Sequence, residues 1–331
     1  MIRDRIRSHW RTLLALLGLA LVIALVWRAG PADIANQLKQ AGWGFGWLLL
    51  LAMAWRAIAG AGMWVLFERG SISLWTAFII RTVGEAVNTV TPLMNFGGEP
   101  VKAALLESHV GLETGASIVV LDKTMTYVAS LFVMVTALVV GLFLLEGHPA
   151  VFGITVALIG MMASVVAYLA YRQARGDLLQ LVTSLLKLIR VHPKPETLER
   201  VARIDALLSE FWRNRRAQLL ASVAIHFVGR SLRAFDILLC MMLLGLAPDF
   251  AAAYFVAGVA MMVNTAFSFV PGQLGASEGS HAYVFALLGI GFAAGVSISL
   301  LRRARDWVLA AAILPIVALY PRKNVGVRRQ P

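Results

Sequence analysis

Apolar residues run along the chain in long blocks, separated by short polar or Gly/Pro-rich stretches. A helix rises ~1.5 Å per residue, so about 20 apolar residues cross the hydrocarbon core of a bilayer. Six blocks reach or approach that length: Thr12–Trp27, Phe45–Phe67, Thr114–Leu145, Val151–Tyr171, Gln218–Leu244 and Phe292–Tyr320. Two further blocks are punctuated differently. Leu74–Thr91 runs into Pro92, Gly97, Gly98, Glu99 and Pro100, and then into the short Val101–His109. Phe250–Val270 runs into Pro271, Gly272, Gly275 and Glu278, and then into Gly279–Leu288. Proline removes a backbone donor and glycine admits unusual φ values, so the chain is expected to break at both places. The returning pieces, about 10 residues each, are too short to cross. The pattern predicts an all-α integral membrane fold with six spanning helices and two re-entrant helical hairpins. Broken backbone at membrane depth is tolerated only inside protein or beside a wet cavity. A competing division makes Ala282–Leu301 a full span and leaves Trp307–Tyr320 to cross short or lie on the surface.

Composition agrees with a membrane solvent. Of 331 residues, 59% are hydrophobic and only 15% charged, against roughly 25% charged in soluble domains. The net charge of +12 does not point to nucleic acid, because the basic residues gather in the tails and one loop. The segment 172–217 holds ten Lys/Arg against five Asp/Glu. Placed together on one face, these segments put both termini in the cytoplasm and mark the bacterial inner membrane by the positive-inside rule. The run after Arg3, Arg5, Arg7 and Arg11 could be a signal peptide, but no small-residue cleavage site follows and it reads as a retained anchor. The expected organisation is one polytopic domain. It comprises an anchor helix 12–27, a first repeat 45–145, a linking span 151–171, a basic cytoplasmic loop 172–217, a second repeat 218–320 and a basic tail 321–331. Within the loop, Gly176–Val191 has helical apolar spacing and reads either as an interfacial amphipathic helix or as a helix packed on the bundle. The lone Cys240 allows no disulfide within the chain.

The two halves share their polar landmarks. Arg56 to Asn88 is 32 residues and Arg233 to Asn264 is 31. Glu99 to Gly111 is 12 and Glu278 to Gly291 is 13, while 11 residues separate each glycine from the charged pairs Asp122-Lys123 and Arg302-Arg303. In the six-span topology one hairpin enters from each side, which makes an inverted-topology repeat with a site near the midplane.

Ionisable residues inside apolar helices cost ~2.5–3.5 kcal/mol each on insertion scales. The chain accepts many: Arg56, Arg81, Glu85, Asp122, Lys123, Arg230, Arg233, Asp236, Arg302, Arg303, Arg305 and Asp306. They must face one another or a wet cavity. Arg81, Glu85 and Asn88 share a helix face, as do His226, Arg230 and Arg233. One reading is a cationic path for an anionic headgroup, lined by Arg81, Glu85, Asn88, Glu99, Asp122, Lys123, Arg230, Arg233, Asn264, Glu278, Arg302 and Arg303, with breaks at Pro92, Gly97, Gly98, Pro271, Gly272 and Gly275. The other is a set of arginine–carboxylate locks, with Glu99 and Glu278 capping their helices. His281 is a candidate proton relay.

Motifs for covalent chemistry are poor. Gly275-Ala-Ser277-Glu-Gly279 fits G-x-S-x-G, but that elbow needs a strand before it. There is no H-E-x-x-H, metal-spaced Cys/His cluster or phosphate-binding P-loop. No metal, cofactor or enzymatic activity is expected.

Taken with the breaks, Asn88…Pro92…Gly97-Gly98-Glu99, Asp122-Lys123 and Pro271-Gly272…Gly275…Glu278 resemble the lysylphosphatidylglycerol synthase transmembrane-region family. That family comprises flippase-like proteins similar to the flippase half of the bacterial multiple peptide resistance factor. The resemblance covers roughly Arg11 to Tyr320. It implies re-entrant hairpins and lipid flipping between leaflets, and its second-half arginine corresponds best to Arg303. The family's acidic–basic pair is more often Glu-Arg than Asp-Lys. The soluble aminoacyl-transferase domain of the synthases has no counterpart in this sequence, so synthase activity is not implied. Some stand-alone members accompany hopanoid synthesis. The expected function is therefore translocation or binding of a lipid, of anionic phospholipid or isoprenoid/hopanoid type. The partners would be membrane lipids, together with lipid-biosynthesis enzymes or further copies of the chain. The alternatives are an integral enzyme or a scaffold in lipid biosynthesis.

Overall fold

The computed structural model describes residues 41–91, 97–144, 149–188, 194–268 and 273–319, with Trp27, Ala32, Lys39 and Val270 beside them. The expected anchor 12–27 and tail 321–331 therefore lie almost wholly outside the described residues, as do Pro92, Pro271 and Gly272. The described residues form helices and turns without a strand.

The helices are α1 (Phe45–Trp64), α2 (Leu74–Val90), α3 (Gly98–Val110), α4 (Leu112–Leu144), α5 (Pro149–Arg175), α6 (Leu178–Leu188), α7 (Pro195–Asn214), α8 (Arg216–Ser231), α9 (Arg233–Leu243), α10 (Phe250–Ala266), α11 (Ala276–Leu287) and α12 (Phe292–Leu319). By length and composition three helical stretches can cross a membrane: Gly42–Trp64, Leu112–Leu144 and Phe152–Arg175. Two other expected spans take a different form. Residues 218–244 are interrupted at Leu232, where α8 gives way to α9. Phe292–Leu319 is a single long helix, but Arg302, Arg303, Arg305 and Asp306 sit in its middle. The competing span Ala282–Leu301 is not one helix: α11 ends at Leu287, and glycines 289 and 291 turn the chain at positive φ before α12 starts.

Local chemistry fixes the ends. Ser73 Oγ accepts from Thr76 N at 3.0 Å to start α2, and Asp249 Oδ1 accepts from Ala251 N at 2.8 Å and Ala252 N at 3.2 Å to start α10. Such side-chain acceptors satisfy N–H groups that the helix itself leaves unbonded. In α1 the buried residues Leu48, Ala52, Arg56, Ala59 and Met63 recur at the helical period. Trp43, Trp47 and Leu50, nearby, are exposed, as suits a helix whose outer face meets lipid.

At each Pro/Gly break the flanking helices pack on one another, α2 on α3 and α10 on α11. The first pairing is close. A Cβ on Gly98 would lie 2.0 Å from the Gly84 carbonyl oxygen, and one on Gly84 would lie 2.3 Å from Lys102 Cε. Only glycine admits this approach of α3 to α2.

The described residues of the basic segment 172–217 lie almost wholly in helices rather than in a loop. α7 packs against α4 and α5, burying Leu208 and Phe211, and α6 lies on α7. Asp205 of α7 accepts from Leu179 N (2.9 Å) and Gln180 N (3.0 Å), so it caps α6 from a neighbouring helix. This contact favours the second reading of Gly176–Val191, a helix packed on the bundle.

Candidate functional site

The ionisable residues of the apolar helices converge on one cavity of ≈ 250 Å³. Helix α2 supplies Arg81, Glu85 and Asn88 to its wall; α4 supplies Lys123, Thr126 and Tyr127; Arg230 and Arg233 flank the junction of α8 and α9. Helix α10 adds Asn264, and α12 adds Arg302, Arg303, Asp306 and Trp307. Of the residues predicted to line a path, Arg81, Glu85, Asn88, Lys123, Arg230, Arg233, Asn264, Arg302 and Arg303 thus meet there.

Glu99, Asp122 and Glu278 stand behind the lining and hold it. Glu99 accepts from Lys123 Nζ at 3.0 Å and from Lys102 Nζ at 2.8 Å. Glu278 accepts from Arg303 Nε at 2.6 Å and from its own Gly275 N at 2.8 Å. Both halves therefore carry the same clasp. A glutamate in the first turn of the returning helix grips a base on the next long helix, 24 residues on in one half and 25 in the other. Glu278 combines the two readings of the sequence, because it caps its helix and pairs with an arginine.

Asp122 is fully buried between Arg81 and His226, whose Nε2 lies 2.9 Å away. Asp236 binds Arg302 Nε at 2.8 Å and also Arg305. Asp306 reaches Arg305 at 3.0 Å and Arg56 at 3.5 Å. Nearly every charge here lies within range of its opposite, which is how charged side chains persist in a medium of low dielectric. His281 donates from Nδ1 to Ser277 O (2.7 Å) and offers Nε2 to Arg302 Nη1 (2.7 Å). With both nitrogens so used, the neutral ring acts here as an acceptor for an arginine, and nothing in the geometry asks it to carry a second proton.

Asn88 lines the cavity and also bonds to the backbone. Its Oδ1 accepts from Gly98 N at 2.7 Å, tying the end of α2 to the start of α3. The backbone carbonyl oxygen of Asn264 accepts from Gln273 Nε2 at 3.0 Å. Gly97 and Gly98 open α3, and Gly275 precedes α11 at φ +79°.

Sequence reasoning passed over Lys102, which is 1% exposed although it is a lysine. Its signal was present, since Glu99 and Lys102 stand at i, i+3. It also passed over Trp55, whose ring lies under the guanidinium groups of both Arg56 (4.6 Å) and Arg233 (4.9 Å). Among the described residues no cluster of His, Cys, Asp or Glu is arranged to hold a metal ion, and Cys240 is a buried free thiol.

The helices carry the family relation with them. No curated protein and no solved structure is similar enough to the chain to count as a match. The family of the lysylphosphatidylglycerol synthase TM region matches over residues 15–313, a stretch that takes in both Pro/Gly breaks, the cavity and nearly all of α12. The chain is a helical membrane protein and belongs to the lysylphosphatidylglycerol synthase TM region family.

Proposed function

We propose that the chain carries the polar headgroup of a lipid between the leaflets of the bacterial cytoplasmic membrane, with the tails left in the surrounding hydrocarbon. One observation supports this most: a cavity of ≈ 250 Å³ lined by ionisable side chains, among helices whose outer faces are apolar. A polar headgroup crosses hydrocarbon slowly because it must shed its water. A polar cavity at membrane depth replaces that water with fixed donors and acceptors. The order of helix contacts gives further support. In the first half α1 meets α2, α2 meets α3 and α3 meets α4; in the second α9 meets α10, α10 meets α11 and α11 meets α12. Each outgoing hairpin arm also packs on the long helix of the other half, α2 on α12 and α10 on α4. This is the arrangement an inverted repeat with two re-entrant hairpins produces, and such repeats switch access by rocking one unit against the other. The basic segments and both termini then face the cytoplasm. The reading assigns no covalent chemistry to the chain.

The test is leaflet exchange in reconstituted liposomes. Fluorescent lipids are placed in one leaflet, and their loss to a membrane-impermeant quencher is followed with and without protein. The expected result is exchange that depends on protein and on headgroup, and that falls in Lys123→Gln and Arg303→Gln. Exchange at the protein-free rate for every headgroup would overturn the proposal and favour a scaffold.

A further inference from the structure

The clasps of the two halves divide their carboxylate oxygens in the same way. In the first half Glu99 Oε2 accepts from Lys102 Nζ (2.8 Å) and Oε1 from Lys123 Nζ (3.0 Å). In the second half Glu278 Oε2 accepts from Gly275 N (2.8 Å) and Oε1 from Arg303 Nε (2.6 Å). One oxygen thus holds a partner at the start of the glutamate's own helix, and the other holds a base on the next long helix. The first partner is fixed: Lys102 is 1% exposed and packs against Gly84 of α2, and Gly275 N is backbone. The second borders open space. The side chains of Lys123 and Arg303 are 17% and 20% exposed, and both line the cavity. Lys123 Nζ also lies 5.7 Å from the centre of the Tyr127 ring, a second contact one turn along its own helix. Parting a buried pair strands a desolvated carboxylate, at high cost unless another donor stays on it. Each glutamate here has that other donor.

We infer that the two clasps are latches on the cavity that open in turn. Parting Lys123 from Glu99 frees α4 from α3 and opens the cavity toward one face of the membrane. Parting Arg303 from Glu278 frees α12 from α11 and opens it toward the other face. The inference rests on the transport reading above and on its inverted repeat, which sets the two latches on opposite faces, and it adds the contacts that govern access. The latches are unequal. Glu99 divides its charge between two lysines, and Lys123 brings it one donor. Arg303 sets both Nε and Nη2 on Oε1 of Glu278, and among the described residues no other base lies within ion-pair distance of that carboxylate. Two charge-assisted donors hold more tightly than one. The Glu99–Lys123 latch is therefore the one that opens more often at rest.

The experiment measures how fast a membrane-impermeant maleimide reaches the cavity. The reporter is Thr126→Cys on the α4 wall, in a full chain whose buried thiol is removed by Cys240→Ala. Labelling is followed in right-side-out and in inverted membrane vesicles. The parent is expected to label faster from one face, and Lys123→Gln should raise the rate from that face only, by ~10–100-fold, the range for one lost charge-assisted contact. Arg303→Gln should raise it from the opposite face. Both variants leave the fixed bond of the glutamate in place. Lys123→Arg should label more slowly than the parent, because a second donor tightens the latch. Size-exclusion profiles check that each variant is folded. Pairs that only brace the bundle would loosen it toward both sides when lost. A rise from both faces in either variant, a rise from the same face in the two, or no change in both overturns the inference. If Arg303→Gln does not fold, Lys123→Gln and Lys123→Arg decide the matter, and the inference fails unless they move labelling in opposite directions from one face. One-sided labelling without leaflet exchange in liposomes would sink the transport reading alone. Leaflet exchange with labelling that none of these variants moves would sink the latches alone.

Discussion

Asp236→Asn is a direct test of whether paired charges hold the bundle. The carboxylate is 1% exposed and joins Arg302, at 2.8 Å, to Arg305, which is 0% exposed. Asparagine keeps the shape and removes the charge. Arg305 keeps Asp306 at 3.0 Å, while Arg302 keeps only the neutral His281 at 2.7 Å. Losing one partner of a buried pair costs about 3–5 kcal/mol, and the surviving Arg305–Asp306 pair places this case near ~3 kcal/mol. At ~2 °C per kcal/mol for a large domain, the thermal midpoint should fall about 6 °C. The assay is a melt of the detergent-solubilised protein, followed by the fraction that remains monodisperse on size exclusion. A double variant, Asp236→Asn with Arg305→Met, removes the stranded guanidinium and should recover a substantial part of the loss, because an apolar side chain in a buried pair's place is often neutral or better. An Asp236→Asn midpoint within ~1 °C of the parent, or a double variant no better than the single one, would refute the reasoning.

Other substitutions probe the helix pairs at the Pro/Gly breaks and the peripheral helices. Gly98→Ala drives a methyl to 2.0 Å from the Gly84 carbonyl oxygen; overpacking of this kind costs ~1–3 kcal/mol or more, and the accessibility of single cysteines introduced along α3 should rise. Glu278→Gln loses the charge opposite Arg303 but keeps an oxygen for Gly275 N, whereas Glu278→Ala loses both; the alanine variant should melt lower by about 1 kcal/mol equivalent, the worth of a cap. Asp205→Ala releases the two backbone donors at the start of α6; hydrogen exchange at 178–181 should speed up by roughly tenfold, for ~1–1.5 kcal/mol of local stability, while α4 keeps its protection.

The sequence carried the helical class and the breaks plainly, because proline and glycine act locally and apolar run length is a property of the chain alone. It also carried the identity of the charged cavity residues, since a charge in an apolar helix is conspicuous wherever its partner lies. Partnerships were less legible. Arg81 and Asp122 are 41 residues apart and Arg56 and Asp306 are 250 apart, and nothing in composition selects those pairs over others. The interruption at Leu232 was hidden because that residue is an ordinary helix former. Helix α7 was hidden by its charge. The apolar positions Ile204, Leu208 and Phe211 follow the helical period, but they stand among so many arginines and glutamates that the segment reads as a solvated loop. Glu99 and Glu278 were found for their position beside the breaks, yet their place behind the lining depends on where α4 and α12 pass, which only tertiary packing decides.

The meeting of Gly98 with the Gly84 carbonyl has a practical consequence for anyone wishing to watch this protein move. Two helices joined backbone to backbone turn like the arms of a bent lever, with no give at the elbow. Ser108 and His109, exposed near the far end of α3, therefore travel with the stretch of α2 that bears Glu85. A spectroscopic label fixed there would report the swing of the cavity wall from outside, leaving every charged group in its place.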